Sequence, residues 1–81
     1  MISPAIAVIA ELIRARGTLI DKELYENVRN ALNTFDMDIS RKDFNKLLMT
    51  LELRGYIRVE GIKKEARIVH LVKVPSKSGG K

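Results

Sequence analysis

The stretch Ile39-Ser40-Arg41-Lys42-Asp43-Phe44-Asn45-Lys46-Leu47-Leu48-Met49-Thr50-Leu51-Glu52-Leu53-Arg54-Gly55-Tyr56-Ile57 decides the fold, because the hydrophobic period changes within it. Phe44, Leu47, Leu48 and Leu51 recur at helical spacing and form a core stripe. Ser40 is placed to cap that helix, Arg41 to Arg54, and Asp43 at the third position completes a near capping box. Ile39 before the cap and Phe44 after it fit a hydrophobic staple. Gly55 then stops the helix where a left-handed backbone is wanted. Beyond it the period drops to two. Tyr56 to Glu60 reads as a strand with Ile57 and Val59 inward, Gly61 to Glu65 as a basic turn, and Ala66 to Lys73 as the returning strand. In that second strand Val69 and Leu71 are the expected core contacts.

Upstream, Ser3-Pro4 opens a helix as N-cap and first helical residue, and Gly17 is expected to end it. Ile6, Ile9, Ala10 and Ile13 share one face, while Val8, Leu12 and Ala15 extend the apolar girth well past it. A helix so widely apolar has the core and something else to cover. Gly17 to Ile20 forms a short extended link. Asp21 is then expected to cap a second helix, Lys22 to about Asn33, with Ile20 and Tyr25 as its staple. Leu24, Val28, Ala31 and Leu32 face inward; Glu23, Glu26, Arg29 and Asn30 face out. Phe35 and Ile39 are expected to tuck beneath the link to the third helix. Pro75 onward is polar and glycine-rich, so residues 1–73 read as one domain and 74–81 as a flexible basic tail.

Eighty-one residues allow one core, and 46% hydrophobic residues are too many for a disordered chain. No apolar run approaches the roughly 20 residues of a membrane span. Met1-Ile2-Ser3-Pro4 lacks a basic signal n-region, so a cytoplasmic protein without membrane association is expected. The absence of cysteine removes disulfides, thiolate metal sites and thiol nucleophiles. Abundant Ile, Lys, Arg and Glu without Gln or Trp leans toward a thermophile. Catalysis has little to work with. His70 is the single histidine, Asp36 and Asp38 are two carboxylates without further ligands, and Gly79-Gly80 follows no strand. The reading is a non-enzyme with neither cofactor nor metal.

Charge is divided unevenly. Residues 1–40 carry a net −2 and residues 41–81 a net +7, an electrostatic footprint suited to a polyanion. Helix, short strand, helix, helix and basic hairpin, in that order, resemble the winged helix-turn-helix family, in particular small archaeal-type members. The closest likeness lies across Ile39 to Val72, and its most specific phrase is Leu51-Glu52-Leu53-Arg54-Gly55-Tyr56-Ile57. The implied fold is α+β: a three-helix core, a C-terminal two-stranded β-hairpin wing, and a short strand between helices 1 and 2.

The resemblance also implies that the third helix enters a DNA major groove while the wing meets the backbone. Lys42, Asn45 and Lys46 are the groove-facing candidates, with Arg41 near a phosphate. On the wing, Lys63 and Lys64 take the tip, and Arg58 and Arg67 the outward faces of the two strands. Two Lys and one Asn promise modest sequence specificity with a large salt term, a slope near −4 to −5 for about five phosphates. Transcription regulation or DNA organisation near the nucleoid follows as the expected role.

Two features depart from that pattern. The link between helices 2 and 3 is longer than a tight turn, and Met49 and Leu53 stand on the outer face of helix 3 where polar residues are usual. With Val8 and Leu12 of helix 1 they suggest a protein partner. The alternative function is therefore an accessory subunit of an archaeal DNA polymerase or transcription assembly that docks through its winged helix. A homodimer through helix 1 suits either role.

Overall fold

The computed structural model describes residues 3–63 and 66–75, apart from the side chains of Ile62 and Lys63. Its elements run α1 (Pro4–Arg14), β1 (Thr18–Ile20), α2 (Asp21–Asn33), α3 (Arg41–Leu53), β2 (Ile57–Lys63) and β3 (Ala66–Leu71). The three strands form one antiparallel sheet in the order β1-β3-β2. Three helices and a three-stranded antiparallel sheet make an α+β fold compatible with a winged helix. The expected wing-tip residue Lys64 and residues 76–81 of the tail expected over 74–81 lie outside the described residues, as does the side chain of Lys63.

Capping explains where the helices begin and end. Ser3 Oγ accepts from the Ile6 amide at 3.2 Å, and Ser40 Oγ from the Asp43 amide at 3.1 Å, each satisfying one free donor of a first turn. At the end of α3 Gly55 has φ +82°, its amide reaches Glu52 O and the Tyr56 amide reaches Leu51 O, a Schellman closure. The end of α1 differs from the sequence expectation. Arg16, not glycine, takes the left-handed position at φ 66°; its amide meets Ile13 O and the Gly17 amide meets Leu12 O at 2.7 Å. Gly17 comes next with φ 102°.

The core joins Val8 and Leu12 of α1, Leu24, Val28 and Leu32 of α2, Phe44 and Leu48 of α3, and Val69 of the central strand, all essentially sealed from solvent. Burying each such side chain is worth about 1.5–3 kcal/mol. This overturns the assignment of Val8 and Leu12 to a partner surface: both are 0% exposed. The reason is rotational. α1 turns its Val8–Leu12 stripe onto the other helices and leaves Ile6 (59% exposed) and Ile13 (50%) outside. Phe35, expected beneath the α2–α3 link, is 52% exposed, whereas Ile39 is buried.

That link is held by charge. Arg29 Nε donates to Asp38 Oδ1 at 3.0 Å and Arg29 Nη2 to Asp38 Oδ2 at 3.3 Å. The Ile39 amide adds a bond to Asp38 Oδ1 at 2.8 Å. The guanidinium, and then that amide, hold the Asp38 carboxyl below its usual value, and the Arg29 side chain is correspondingly raised.

Candidate nucleic-acid interface

On α3 the core residues Phe44, Leu48 and Leu51 leave a second face open, where Lys42, Asn45, Lys46, Met49 and Leu53 are exposed. At about 100° per residue, Lys42, Lys46, Met49 and Leu53 fall within an arc of roughly 60°. The N-terminal half of that arc carries ammonium groups; the C-terminal half carries Met49 at 61% and Leu53 at 83% exposure. Cation and grease share one face.

Beside it lies a polar corner that the sequence reading did not anticipate. Asp21 was expected to cap α2, but it is the first residue of that helix and makes no capping bond. The residue is 3% exposed, and its carboxylate is turned instead toward α3 and the hairpin. Arg41 Nη2 donates to Asp21 Oδ2 at 2.7 Å and Arg67 Nε to the same oxygen at 3.1 Å. Arg67 Nη2 continues to Asn45 Oδ1 at 3.3 Å. The Arg41 guanidinium also lies 5.2 Å from the centroid of Tyr25 and 5.6 Å from that of Phe44. Tyr25 packs on Phe44 at 5.0 Å and donates its hydroxyl to Ile39 O at 2.9 Å. One carboxylate thus ties the starts of α2 and α3 to β3, and the positive end of the α2 dipole favours it there.

Three expected phosphate or base contacts are changed by this corner. Arg41 and Arg67 are committed to Asp21, although each side chain keeps about 40% of its surface exposed (40% and 39%). Asn45 accepts from Arg67 through its carbonyl oxygen and keeps its amide donors. Arg67 and Arg58, expected on the outward faces of the two strands, point to opposite faces of the sheet. Arg58 pairs in register with His70, and Arg67 with Gly61. Alternation then puts Arg67 on the side of buried Val69 and Arg58 on the side of His70.

No family model, characterised protein or solved structure matches this chain. On the far side of the sheet, His70 Nε2 lies 2.9 Å from Glu60 Oε1 and its Nδ1 lies 3.3 Å from Thr18 Oγ1, a lateral tie across all three strands. At the free edge of the sheet, Glu52 Oε2 accepts from the Val59 amide at 3.2 Å and binds the end of α3 to β2. Glu52 lies in the Leu51–Ile57 segment, and this bond gives it a mechanical role. Among the described residues no group of three or more His, Asp or Glu is placed to hold a metal ion, and no helix is long and apolar enough to cross a membrane.

A second open surface adjoins α3 on its other flank. Ile6, Ile9, Ala10 and Ile13 of α1 face Leu47, Thr50 and Arg54 of α3 across an open channel of about 550 Å³, extended by Tyr56, Val74 and Pro75. Nearly all of its surface is carbon. The same wheel that puts Lys42 and Lys46 on one arc centres this channel about 120° away.

Proposed function

We propose that this chain is a small winged-helix protein that binds double-stranded DNA with modest sequence specificity, using the outer face of α3 and the adjacent hairpin. The supporting observation is the Arg67–Asn45 bond, which brings the hairpin against the same helix that exposes Lys42 and Lys46. Arg67 and Arg41 present the unpaired edges of their guanidiniums there, and Asn45 keeps a donor amide able to read a base edge. In the sequence, Lys63 and Lys64 add to the net positive charge of residues 41–81. Arg58, on the opposite face of the sheet, takes no part.

In this reading the contacts are mainly electrostatic. Two lysines neutralise phosphate as point charges, and one asparagine is a thin basis for sequence discrimination. Duplex binding is expected to weaken steeply with salt, and Lys42→Ala/Lys46→Ala to flatten the log–log slope by about 2. Lys63→Ala/Lys64→Ala is expected to reduce it further. Binding that ignores salt and both pairs of substitutions refutes the assignment.

A second reading is favoured by Met49 and Leu53, which no part of the described chain covers. It makes the protein an accessory subunit docked on a partner in an archaeal-type DNA replication or transcription assembly. Leu53→Glu separates the two. Loss of a co-purifying partner with duplex affinity retained supports docking; reduced duplex affinity with no change in partners supports the groove contact.

A further inference from the structure

We propose that Arg67, fixed by Asp21, sets the amide of Asn45 so that this side of α3 offers bases hydrogen-bond donors only, and that it thereby selects guanine. The inference rests on the reading of α3 as the helix that meets duplex DNA. A guanidinium has donors and no acceptor, so the atom that Arg67 Nη2 meets at 3.3 Å has to be the carbonyl oxygen of Asn45 and not its NH2 group. Arg67 is itself anchored. Its Nε donates at 3.1 Å to Asp21 Oδ2, on a residue only 3% exposed, and Arg41 holds the same oxygen at 2.7 Å. The Asn45 amide cannot flip without breaking its bond to Arg67. What remains for a ligand is its two N–H groups.

Charge adds to the effect. The row from carboxylate through guanidinium to carbonyl polarises the amide, which weakens the second lone pair of the oxygen and strengthens the N–H groups as donors. A base amino group approaching that oxygen would also crowd the N–H groups of Arg67. The neighbours of Asn45 one turn away along α3 are Arg41, Lys42, Met49 and the buried Leu48, which bring donors or carbon. Lys46 is a further donor. The Thr50 hydroxyl donates to Lys46 O at 3.1 Å, and Glu52 engages the Val59 amide about two turns beyond Asn45. Asp43 stands about 160° around the helix from Asn45. On the hairpin, Glu60 is tied to His70 on the far face of the sheet.

Major-groove edges sort against such a face. Guanine offers two acceptors, O6 and N7, and thymine offers O4; adenine sets an amino donor beside N7, and cytosine offers a donor alone. Donors without acceptors fit guanine best and cytosine worst. An asparagine free of Arg67 would favour adenine instead, because its donor and acceptor match N7 and N6 together.

The test is selection of bound sequences from a randomised duplex library, run with the full chain and with Arg67→Met and Asn45→Asp. Affinity for bulk duplex is measured alongside at two salt concentrations, and circular dichroism checks folding. The wild-type chain is expected to enrich guanine about tenfold over adenine at one position. Arg67→Met releases the carbonyl and is expected to move the preference there to adenine. Asn45→Asp exchanges the NH2 for an acceptor and is expected to abolish the guanine preference at that position. Asn45 is exposed, so this variant keeps the test decisive if Arg67→Met fails to fold. A general loosening of the fold would weaken binding without exchanging one base for another. Duplex binding that enriches adenine, cytosine or no base, or a guanine preference that survives both substitutions, overturns the inference and leaves the DNA reading standing. Absence of salt-sensitive duplex binding refutes the DNA reading itself, and the inference falls with it.

Discussion

The corner around Asp21 and the flank along Ile6 and Ile13 misled sequence reading in opposite directions. At the corner, Arg41, Arg67 and Asn45 are the residue types that meet DNA, yet the fold first sets both arginines on a buried carboxylate and holds Asn45 to Arg67. Along the flank, Ile6, Ile9, Ala10 and Ile13 form the residue pattern that fills a core, yet the fold leaves two of them half exposed and buries Val8 and Leu12 instead. Residue type shows what a side chain is able to do. Which neighbour claims it is a property of the tertiary structure, and the two regions diverge on that point.

The sharpest way to break this contrast lies in two adjacent residues of α1. Leu12→Ala empties a sealed site and is expected to cost about 2–5 kcal/mol, whereas Ile13→Ala is expected to change the stability of the monomer by no more than about 0.5 kcal/mol. Urea titration of both variants at low protein concentration measures the difference. Equal losses would place both residues in the core and remove the flank as a surface.

Asp21→Ala is expected to come next, at about 2 kcal/mol, because it leaves two guanidiniums facing each other without their shared acceptor. The partial exposure of both arginines keeps the loss below that of a sealed ion pair. Its accompanying sign is a freed Arg67, so duplex affinity of the variant should hold or rise at a temperature where it stays folded. Unchanged melting would mean that the corner contributes nothing to the fold.

Ser40→Ala removes the cap of α3 and is expected to cost about 1 kcal/mol by the same titration. The smallest expected effect is acid dependence at the α2–α3 link. Asp38 titrates below its ordinary value in the folded chain, so its contribution is present above the unfolded carboxyl range and fades as pH falls through the lowered folded value. Asp38→Asn should therefore lower stability slightly at neutral pH and flatten the further loss below about pH 4, where the two proteins converge. An identical acid limb in both proteins would show that the Arg29 contact has no energetic weight.

Much of the fold was legible in the chain because its signals are local. Ser3 and Ser40 cap the helices they precede, Gly55 takes the left-handed turn, and Ile57 and Val59 alternate as a strand must. The inward side of Arg67 was legible too, since the alternation that buries Val69 carries Arg67 to the same side. Basic charge by itself signals exposure, and here it masks the alternation. The role of Asp21 was not legible: a carboxylate ahead of a helix is the pattern of a cap, and only the approach of Arg41 and Arg67, 20 and 46 residues away, gives it another use. The rotation of α1 was hidden for a related reason, because a helix apolar on both flanks does not declare which flank turns inward.

The most direct test of a division of labour between the two surfaces of α3 is amide chemical-shift mapping while duplex DNA is added. Shifts are expected at Lys42, Asn45, Lys46 and Arg67, with Ile6, Ala10 and Ile13 unmoved. Perturbation concentrated along α1, or none at the basic end of α3 under low salt, would contradict the account.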